Sequence, residues 1–573
     1  MTKGLDRFST NHLCAAALVS TLSKKGVTDV VISPGSRNAP LTIAFAEDPS
    51  IKTHVVIDER SAAHVALGLA LETGKPAAVV CTSGTAAINH GPALAEAFHQ
   101  NTPLISITAD RPLGSFNKGL GQSVNQTEIF SNFTLKDYSL NGSSHKQSDI
   151  NKVVENVINL YDTAVSGGPV HINVHLEEPL YGKSCLESIS VESDNIDIEA
   201  DIEADIEADI EADIEADLDF SNLPDVFVEN TSRTLIIAGP IHISKWAGAE
   251  LNGLAGISES FSGIKGRGLI TSGDFFLAGG NWKDGSDLSP GSVITVGNPT
   301  MSKTLRNWVT DLNIPHIHLG NSEKDGFDSF NNLEKSIRSN PIKWLSEFSK
   351  AFPQDVNFLN AWAEEKKRLE NIQREFSAKA SWSDLSAFQA IFKHFHKSAK
   401  TTLHFANSTS TRYALLFEVT DNLRLHANRG VAGIDGCTST AVGHALSTED
   451  RVTIVTGDVA FLYDINGLAT VSTLPNNLNV IVINNGGGEI FRWLNGPDKV
   501  GLLESHFETR PKTSIKAAAT FCGLPYFCGV DLTSTQKGLI DLDHNNGPAI
   551  LEIVTNPAES SKIYKQLLLE VKS

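Results

Sequence analysis

Apolar positions along the chain fall into short runs separated by alanine-rich or glycine-closed stretches, and run length sets the element each predicts. Val30-Val31-Ile32, His54-Val55-Val56-Ile57, Ala77-Ala78-Val79-Val80 and Leu104-Ile105-Ser106-Ile107 are too short for helices and mostly β-branched or aliphatic, so they predict buried strands. Residues 13–22 carry a helical pattern that closes near Gly26. Strands alternating with helical segments predict βαβ units and a parallel sheet. The rhythm returns in the last third, with Thr402-Leu403-His404-Phe405, Leu423-Arg424-Leu425-His426, Val452-Thr453-Ile454-Val455 and Val480-Ile481-Val482-Ile483. Between the two regions, Thr234-Leu235-Ile236-Ile237-Ala238 and Ser292-Val293-Ile294-Thr295-Val296 run into glycine loops and predict a third α/β domain. Residues 358–376, rich in Glu, Lys and Arg, read as a long surface helix leading into the last domain.

The loops that follow corresponding strands also correspond. Ser33-Pro34-Gly35-Ser36-Arg37 is echoed by Asn407-Ser408-Thr409-Ser410-Thr411-Arg412, and Asp58-Glu59-Arg60 by Asn428-Arg429-Gly430. Ser83 and Asp110 are 27 residues apart, as are Asp458 and Asn485. First and last regions are therefore read as domains of related topology. The fold class is α/β, three doubly wound domains with parallel sheets, over residues 1–190, 225–350 and 351–573, with a linker at 191–224.

At 573 residues the chain exceeds what one core usually organises, which agrees with several domains. The linker contains Asp-Ile-Glu-Ala five times in succession at 197–216, and this repeat supplies ten acidic residues, half of the net charge of −20. Its four-residue period drifts around a helix, so the isoleucines form no straight stripe and the segment reads as a solvated acidic linker. The negative charge argues against nucleic acid as a partner. Six cysteines, at 14, 81, 185, 437, 522 and 528, show no CxxC spacing, which fits a reducing cytoplasm and no zinc site. No run approaches the length of a membrane span, and the first apolar run matches a secretory signal poorly, so neither membrane insertion nor secretion is expected.

Ligands of open parallel sheets gather at the carboxyl ends of the strands. After one strand comes Thr456-Gly457-Asp458 and after the next comes Asn484-Asn485-Gly486-Gly487-Gly488, a spacing that fits a strand, a crossover helix and a neighbouring strand. A carboxylate and a carboxamide oxygen are hard ligands suited to Mg²⁺, which completes its octahedron with water and phosphate oxygens. The glycines allow close backbone approach, and a helix beginning near Glu489 is expected to offer amide donors. GxxxxGK[ST] and GxSxG are absent, as is GxGxxG after the first strand, which argues against a P-loop, a hydrolase elbow and a dinucleotide fold.

Gly457-Asp458 followed by Asn485 resembles the metal-diphosphate motif of thiamine diphosphate enzymes. The resemblance implies a pyrimidine-binding, a middle and a diphosphate-binding domain in that order, and homo-oligomers, dimeric or tetrameric, with active sites between subunits. It also implies thiamine diphosphate with Mg²⁺ as cofactors, Mn²⁺ being an alternative ion, and a metal held by Asp458, Asn485 and Gly487. Glu59 aligns with the family's activating glutamate, which hydrogen-bonds the aminopyrimidine and promotes its imino tautomer. Further cofactor contacts fall on Ser83, Gly84, Ser408, Ile434, Gly457, Ile490 and Phe491.

More specifically, Ile32-Ser33-Pro34-Gly35-Ser36-Arg37-Asn38-Ala39-Pro40-Leu41, Asp58-Glu59-Arg60, Thr82-Ser83-Gly84-Thr85, Ala109-Asp110-Arg111-Pro112 and Asn428-Arg429-Gly430 resemble the family of 2-succinyl-5-enolpyruvyl-6-hydroxy-3-cyclohexene-1-carboxylate synthases of menaquinone synthesis. That family decarboxylates 2-oxoglutarate and adds the four-carbon fragment to isochorismate. Two dicarboxylic substrates call for fixed cations, and planar guanidinium is the best bidentate partner for carboxylate. By resemblance, Arg37, Arg111, Gln122 and Lys303 hold isochorismate or product, and Ser36 also binds substrate. Asn407, Ser408, Arg412 and Arg429 hold the oxoglutarate-derived part, and Ile434, Ile490, Phe491 and Leu494 wall the site. The rival readings are another thiamine diphosphate enzyme, of acetolactate synthase or 2-oxoacid decarboxylase type, and a non-catalytic binding protein whose acidic repeat recruits a basic partner.

Overall fold

A computed structural model describes residues 8–115, 118–185, 220–242, 248–282, 285–320, 328–494, 496–497 and 499–572. The acidic repeat at 197–216 lies outside them. Three six-stranded parallel sheets with interleaved helices carry the fold, as the run lengths predict. Across the first sheet the strands lie in the order Lys52–Val55, Asp29–Ile32, Ala77–Cys81, Leu104–Asp110, Pro169–His175, Lys136–Asn141. Across the last they lie in the order Leu423–His426, Thr401–Phe405, Arg451–Gly457, Leu478–Asn484, Ala549–Val554, Tyr526–Gly529. Each order is 2-1-3-4-6-5 in its own strands, so the two sheets share one topology. The middle sheet runs Gly268–Ile270, Ala255–Ser258, Thr234–Ala238, Ser292–Val296, His316–Gly320, Leu333–Arg338, a 3-2-1-4-5-6 order.

By contact, residues 1–199, 428–452 and 460–478 group into one compact unit, and residues 200–427, 453–459 and 479–573 into a second. The first is built on Leu18, Val30, Phe45, Val80, Ile105 and Ile172. The second packs Phe261, Phe276, Phe388, Phe392, Phe405 and Tyr413 into one aromatic-rich core. Central strands such as Ala77–Cys81 and Leu104–Asp110 are buried at every residue because helices cover both faces.

Three expectations shift. The run His54–Ile57 pairs only as Lys52–Val55, since the partner strand ends at Ile32. Val56 then bridges Val471, and Ile57 is exposed. The helix Val356–Lys379 is not simply a surface helix, because Phe358 and Trp362, one turn apart, are fully buried and Trp362 stacks on Phe276 at 4.6 Å. The helix after Glu489 spans only Ile490–Trp493, a single turn, so it supplies no extended N-terminal amide array.

Candidate active site

In the last sheet, the carboxyl ends of two strands meet where the motif spacing requires. Asp458 follows strand Arg451–Gly457 and is buried, and its Oδ1 accepts from the backbone N–H of Val459 at 2.9 Å, with the N–H groups of Gly486 and Gly487 acting on the carboxyl from nearby. Burial pushes this carboxyl up to about 7 against those donors. Asn485 follows strand Leu478–Asn484 and is buried beside it; its Nδ2 donates to Asp384 Oδ2 at 2.9 Å and Glu489 Oε2 at 2.8 Å. Two carboxyl groups therefore fix the amide's orientation and leave its oxygen available. Asp458 Oδ2 and Asn485 Oδ1 are both buried without a hydrogen-bond partner, a costly state that a hard cation relieves.

Gly487 adopts φ +129°, and a Cβ there would sit 2.3 Å from the Glu508 carbonyl oxygen, so only glycine permits this turn. Its own carbonyl oxygen accepts from Glu489 N–H at 2.9 Å and keeps a second lone pair. Among the described residues no group of three or more His, Cys, Asp or Glu is placed to hold a metal. A carboxylate–carboxamide–carbonyl set does not need one. These residues fit a metal-bound diphosphate.

Across the switch point of the same sheet, strand Thr401–Phe405 leads into buried Asn407 and half-buried Ser408. Ser408 holds φ +82° and ψ −126°, a conformation ordinarily reserved for glycine, and its carbonyl accepts from Arg412 Nη1 at 2.8 Å. Ile490 and Phe491 are half-buried, and Leu494 is exposed.

In the first unit, Glu59 opens helix Glu59–Thr73. Asp58 caps that helix through the N–H groups of Arg60 and Ser61, and its other oxygen accepts from Asn466 Nδ2 at 2.6 Å. Arg60 donates to the Tyr463 carbonyl at 2.9 Å and lies 4.9 Å from the centre of its ring. Glu59 is thus held from both flanks. Burial, and then the Glu59 carboxylate, push the thiol of Cys81, the last residue of strand Ala77–Cys81, well up.

Beyond Cys81, Ser83 is buried with an unpartnered hydroxyl. Gly84, at φ +87°, donates its N–H to Gln126 Oε1 at 2.9 Å and lies against the backbone of Gln122. Gly35 approaches Thr82 so closely that a Cβ would fall 2.4 Å from the threonine Cβ. Arg37 is buried, donates to the Leu176 carbonyl at 2.9 Å and pairs with Glu178 at 3.1 Å, while Ser36 is exposed. Burial and then the neighbouring Arg111 guanidinium lower the pKa of Arg37. Arg111 donates to the Gly121 carbonyl at 2.7 Å. Two adjacent guanidinium groups favour a dianion.

The loop after His426 carries half-buried Arg429 and Ile434. Lys303 is exposed at the first position of helix Lys303–Leu312 in the second unit. The structure thus joins Asp458, Asn485 and Gly487 in one cluster, Arg37 with Arg111 in another, and Gly84 with Gln122 in a third.

Sequence reading missed the supporting carboxyls. Asp384, 101 residues before Asn485, and Glu489 orient the asparagine, and burial with the Asp384 carboxylate raises Glu489 well above the ordinary range. Gln126 braces Gly84, and its Nε2 donates to the Ala109 carbonyl and Asn173 Oδ1. Glu489 lies four residues from Asn485 and could have been read from the motif, whereas nothing local marks Asp384.

Residues 14–129 match the thiamine pyrophosphate enzyme, N-terminal TPP binding domain, and residues 408–553 the thiamine pyrophosphate enzyme, C-terminal TPP binding domain. The chain is 33% identical to the 2-succinyl-5-enolpyruvyl-6-hydroxy-3-cyclohexene-1-carboxylate synthase of Flavobacterium johnsoniae, over 97% of this chain and 98% of the relative. It is 34% identical to the synthase of the same name from Christiangramia forsetii, over 97% of each, and 32% identical to that of Porphyromonas gingivalis, over 96% of each. With strand-end oxygens suited to a metal-bound diphosphate and near-complete coverage by these relatives, the chain belongs to the 2-succinyl-5-enolpyruvyl-6-hydroxy-3-cyclohexene-1-carboxylate synthase family of thiamine diphosphate-dependent enzymes.

Proposed function

We propose that this chain decarboxylates 2-oxoglutarate and adds the resulting four-carbon unit to isochorismate, giving 2-succinyl-5-enolpyruvyl-6-hydroxy-3-cyclohexene-1-carboxylate, a step of menaquinone synthesis. The observation that carries the reading is the pair of buried, unpartnered oxygens, Asp458 Oδ2 and Asn485 Oδ1, at the ends of adjacent strands. Bound there through Mg²⁺, thiamine diphosphate supplies a nucleophilic carbon and an electron sink. Asp458, Asn485 and the Gly487 carbonyl hold the ion, and Gly457, Ser83, Gly84, Ile434, Ile490 and Phe491 contact the cofactor.

Glu59 acts as the catalytic group: its carboxyl holds and returns a proton at the aminopyrimidine nitrogen, and the bonds from Asp58 and Arg60 to Asn466 and Tyr463 keep it in place. Arg37 and Arg111, with Ser36, Gln122 and Lys303, receive the isochorismate carboxylates. Arg412 and Arg429, with Asn407 and Ser408, receive 2-oxoglutarate, and Phe491 and Leu494 exclude water from the reacting carbons. Residues 1–190, 225–350 and 351–573 serve as pyrimidine-binding, middle and diphosphate-binding domains. The enzyme works in the cytoplasm as a homodimer or homotetramer with sites shared between subunits. Among the described residues no helix is long and apolar enough to cross a membrane.

Apo-protein loaded with thiamine diphosphate and Mg²⁺ should consume 2-oxoglutarate and isochorismate together, releasing one CO₂ per adduct. Condensation with pyruvate alone, and none with this pair, assigns the chain to the acetolactate synthase or decarboxylase type instead.

A further inference from the structure

Glu96 lies on helix Gly91–His99 and is buried, 2% exposed. Its Oε1 accepts the backbone N–H of Gly430 at 2.7 Å, and its Oε2 accepts that of Val431 at 2.8 Å. One carboxylate thus grips two consecutive amides 334 and 335 positions further along the chain. Gln100, one helical turn on, donates to the same Oε1. Charge-assisted bonds of this kind are about twice as strong as neutral ones, and the low-polarity surroundings favour them further.

The gripped segment requires such support. Ala432 holds φ +60°, a left-handed conformation that costs a β-carbon residue energy and persists only when neighbours over-determine it. A Cβ on Gly430 would sit 2.5 Å from the Glu96 carbonyl oxygen, so loop and helix are in backbone contact. On the loop's amino side, Asn428 Nδ2 donates to Thr440 Oγ1 at 3.0 Å. Between these two anchors sits Arg429.

We infer that Glu96 is a positioning residue for 2-oxoglutarate: by clamping Gly430 and Val431 it fixes the loop that presents the Arg429 guanidinium to a substrate carboxylate. The inference rests on the function proposed above, with Arg429 as a substrate residue. Helix Gly91–His99 carries none of the residues proposed to bind cofactor or substrate, so Glu96 acts only through the loop.

The test is Glu96→Gln in the full-length enzyme loaded with thiamine diphosphate and Mg²⁺. The amide keeps the shape but replaces one acceptor oxygen with a donor, so one loop N–H loses its partner. KM for 2-oxoglutarate should rise at least about tenfold, from the cost of one buried unsatisfied donor. KM for isochorismate and the affinity for thiamine diphosphate should stay within about twofold. Amide hydrogen exchange across residues 428–436 should accelerate, while helix Glu59–Thr73 keeps its protection.

An unchanged KM for 2-oxoglutarate, or unchanged exchange in the loop, overturns the clamp. So does a parallel fall in kcat, cofactor affinity and Tm, which marks a role in stability alone. If Glu96→Gln does not fold, Glu96→Asp keeps the charge but not the reach and carries the same expectations. Wild-type enzyme that turns over neither substrate sinks the functional reading and this inference together, whereas active wild type with an indifferent variant sinks only this one.

Discussion

At the scale of the residue, the last sheet combines unpartnered oxygens with one strained backbone position. Asp458 Oδ2 and Asn485 Oδ1 are buried without protein partners, and each such group costs stability unless a ligand completes it. Ser408, held at φ +82°, stores strain at the start of helix Thr409–Ala414. Ser408→Gly should therefore raise the stability of the apo-protein by about 1 kcal/mol in denaturant melts while raising KM for 2-oxoglutarate. A lower midpoint would show that serine is at ease there. Glu59→Gln should leave thiamine diphosphate binding nearly unchanged and lower kcat by at least about 10²-fold, the usual worth of a positioned acid or base. Turnover at the wild-type rate would remove Glu59 from the reaction.

At the scale of the element, helix Glu59–Thr73 places the glutamate, and its packing against helix Cys437–Leu446 decides where it stands. The two meet at glycines: a Cβ on Gly443 would lie 1.9 Å from the Val65 carbonyl oxygen, and one on Gly68 would lie 2.0 Å from that of Thr440. Both obstacles are backbone and cannot turn aside. Gly443→Ala should force the helices apart, destabilise the protein by about 1–3 kcal/mol and lower kcat through a displaced Glu59, both read on the purified variant. Unaltered Tm and kcat would mean that the interface tolerates the methyl group and that the close approach is incidental. The buried pair Asp464 and Ser439 ties the start of the second helix to the segment that holds Asp58 and Arg60.

At the scale of the molecule, the middle sheet contributes a pH response. His316 and His318 share the Thr295 hydroxyl at 2.7 and 2.9 Å and are buried, and burial lowers each to about 4. The folded protein keeps them neutral while the unfolded chain binds protons below about 6.5. Their contribution is thus full above pH 6.5 and is lost as pH falls towards 4, about 2 kcal/mol per histidine by pH 5. His318→Gln should lose less stability than wild type between pH 7 and 5, by about that amount, in matched denaturant titrations. Equal losses would show that the ring is protonated as readily folded as unfolded.

The sequence by itself determined the strands and their order of chemistry. Run length distinguishes a strand buried on two faces, and ligands of parallel sheets gather at the carboxyl ends of such strands, so the place of Asp458 and Asn485 at two adjacent strand ends was legible from local pattern and spacing, while Glu59 was marked by resemblance. The end of strand Lys52–Val55 and the buried face of Val356–Lys379 were not, because each depends on what lies alongside. Nor were Asp384 beside Asn485, Asn466 beside Asp58, or Glu96 beneath Gly430. Only the tertiary structure could decide these, since a hydrogen bond between residues 101 to 408 positions apart leaves no period in the chain and exists only once packing has excluded water from both partners.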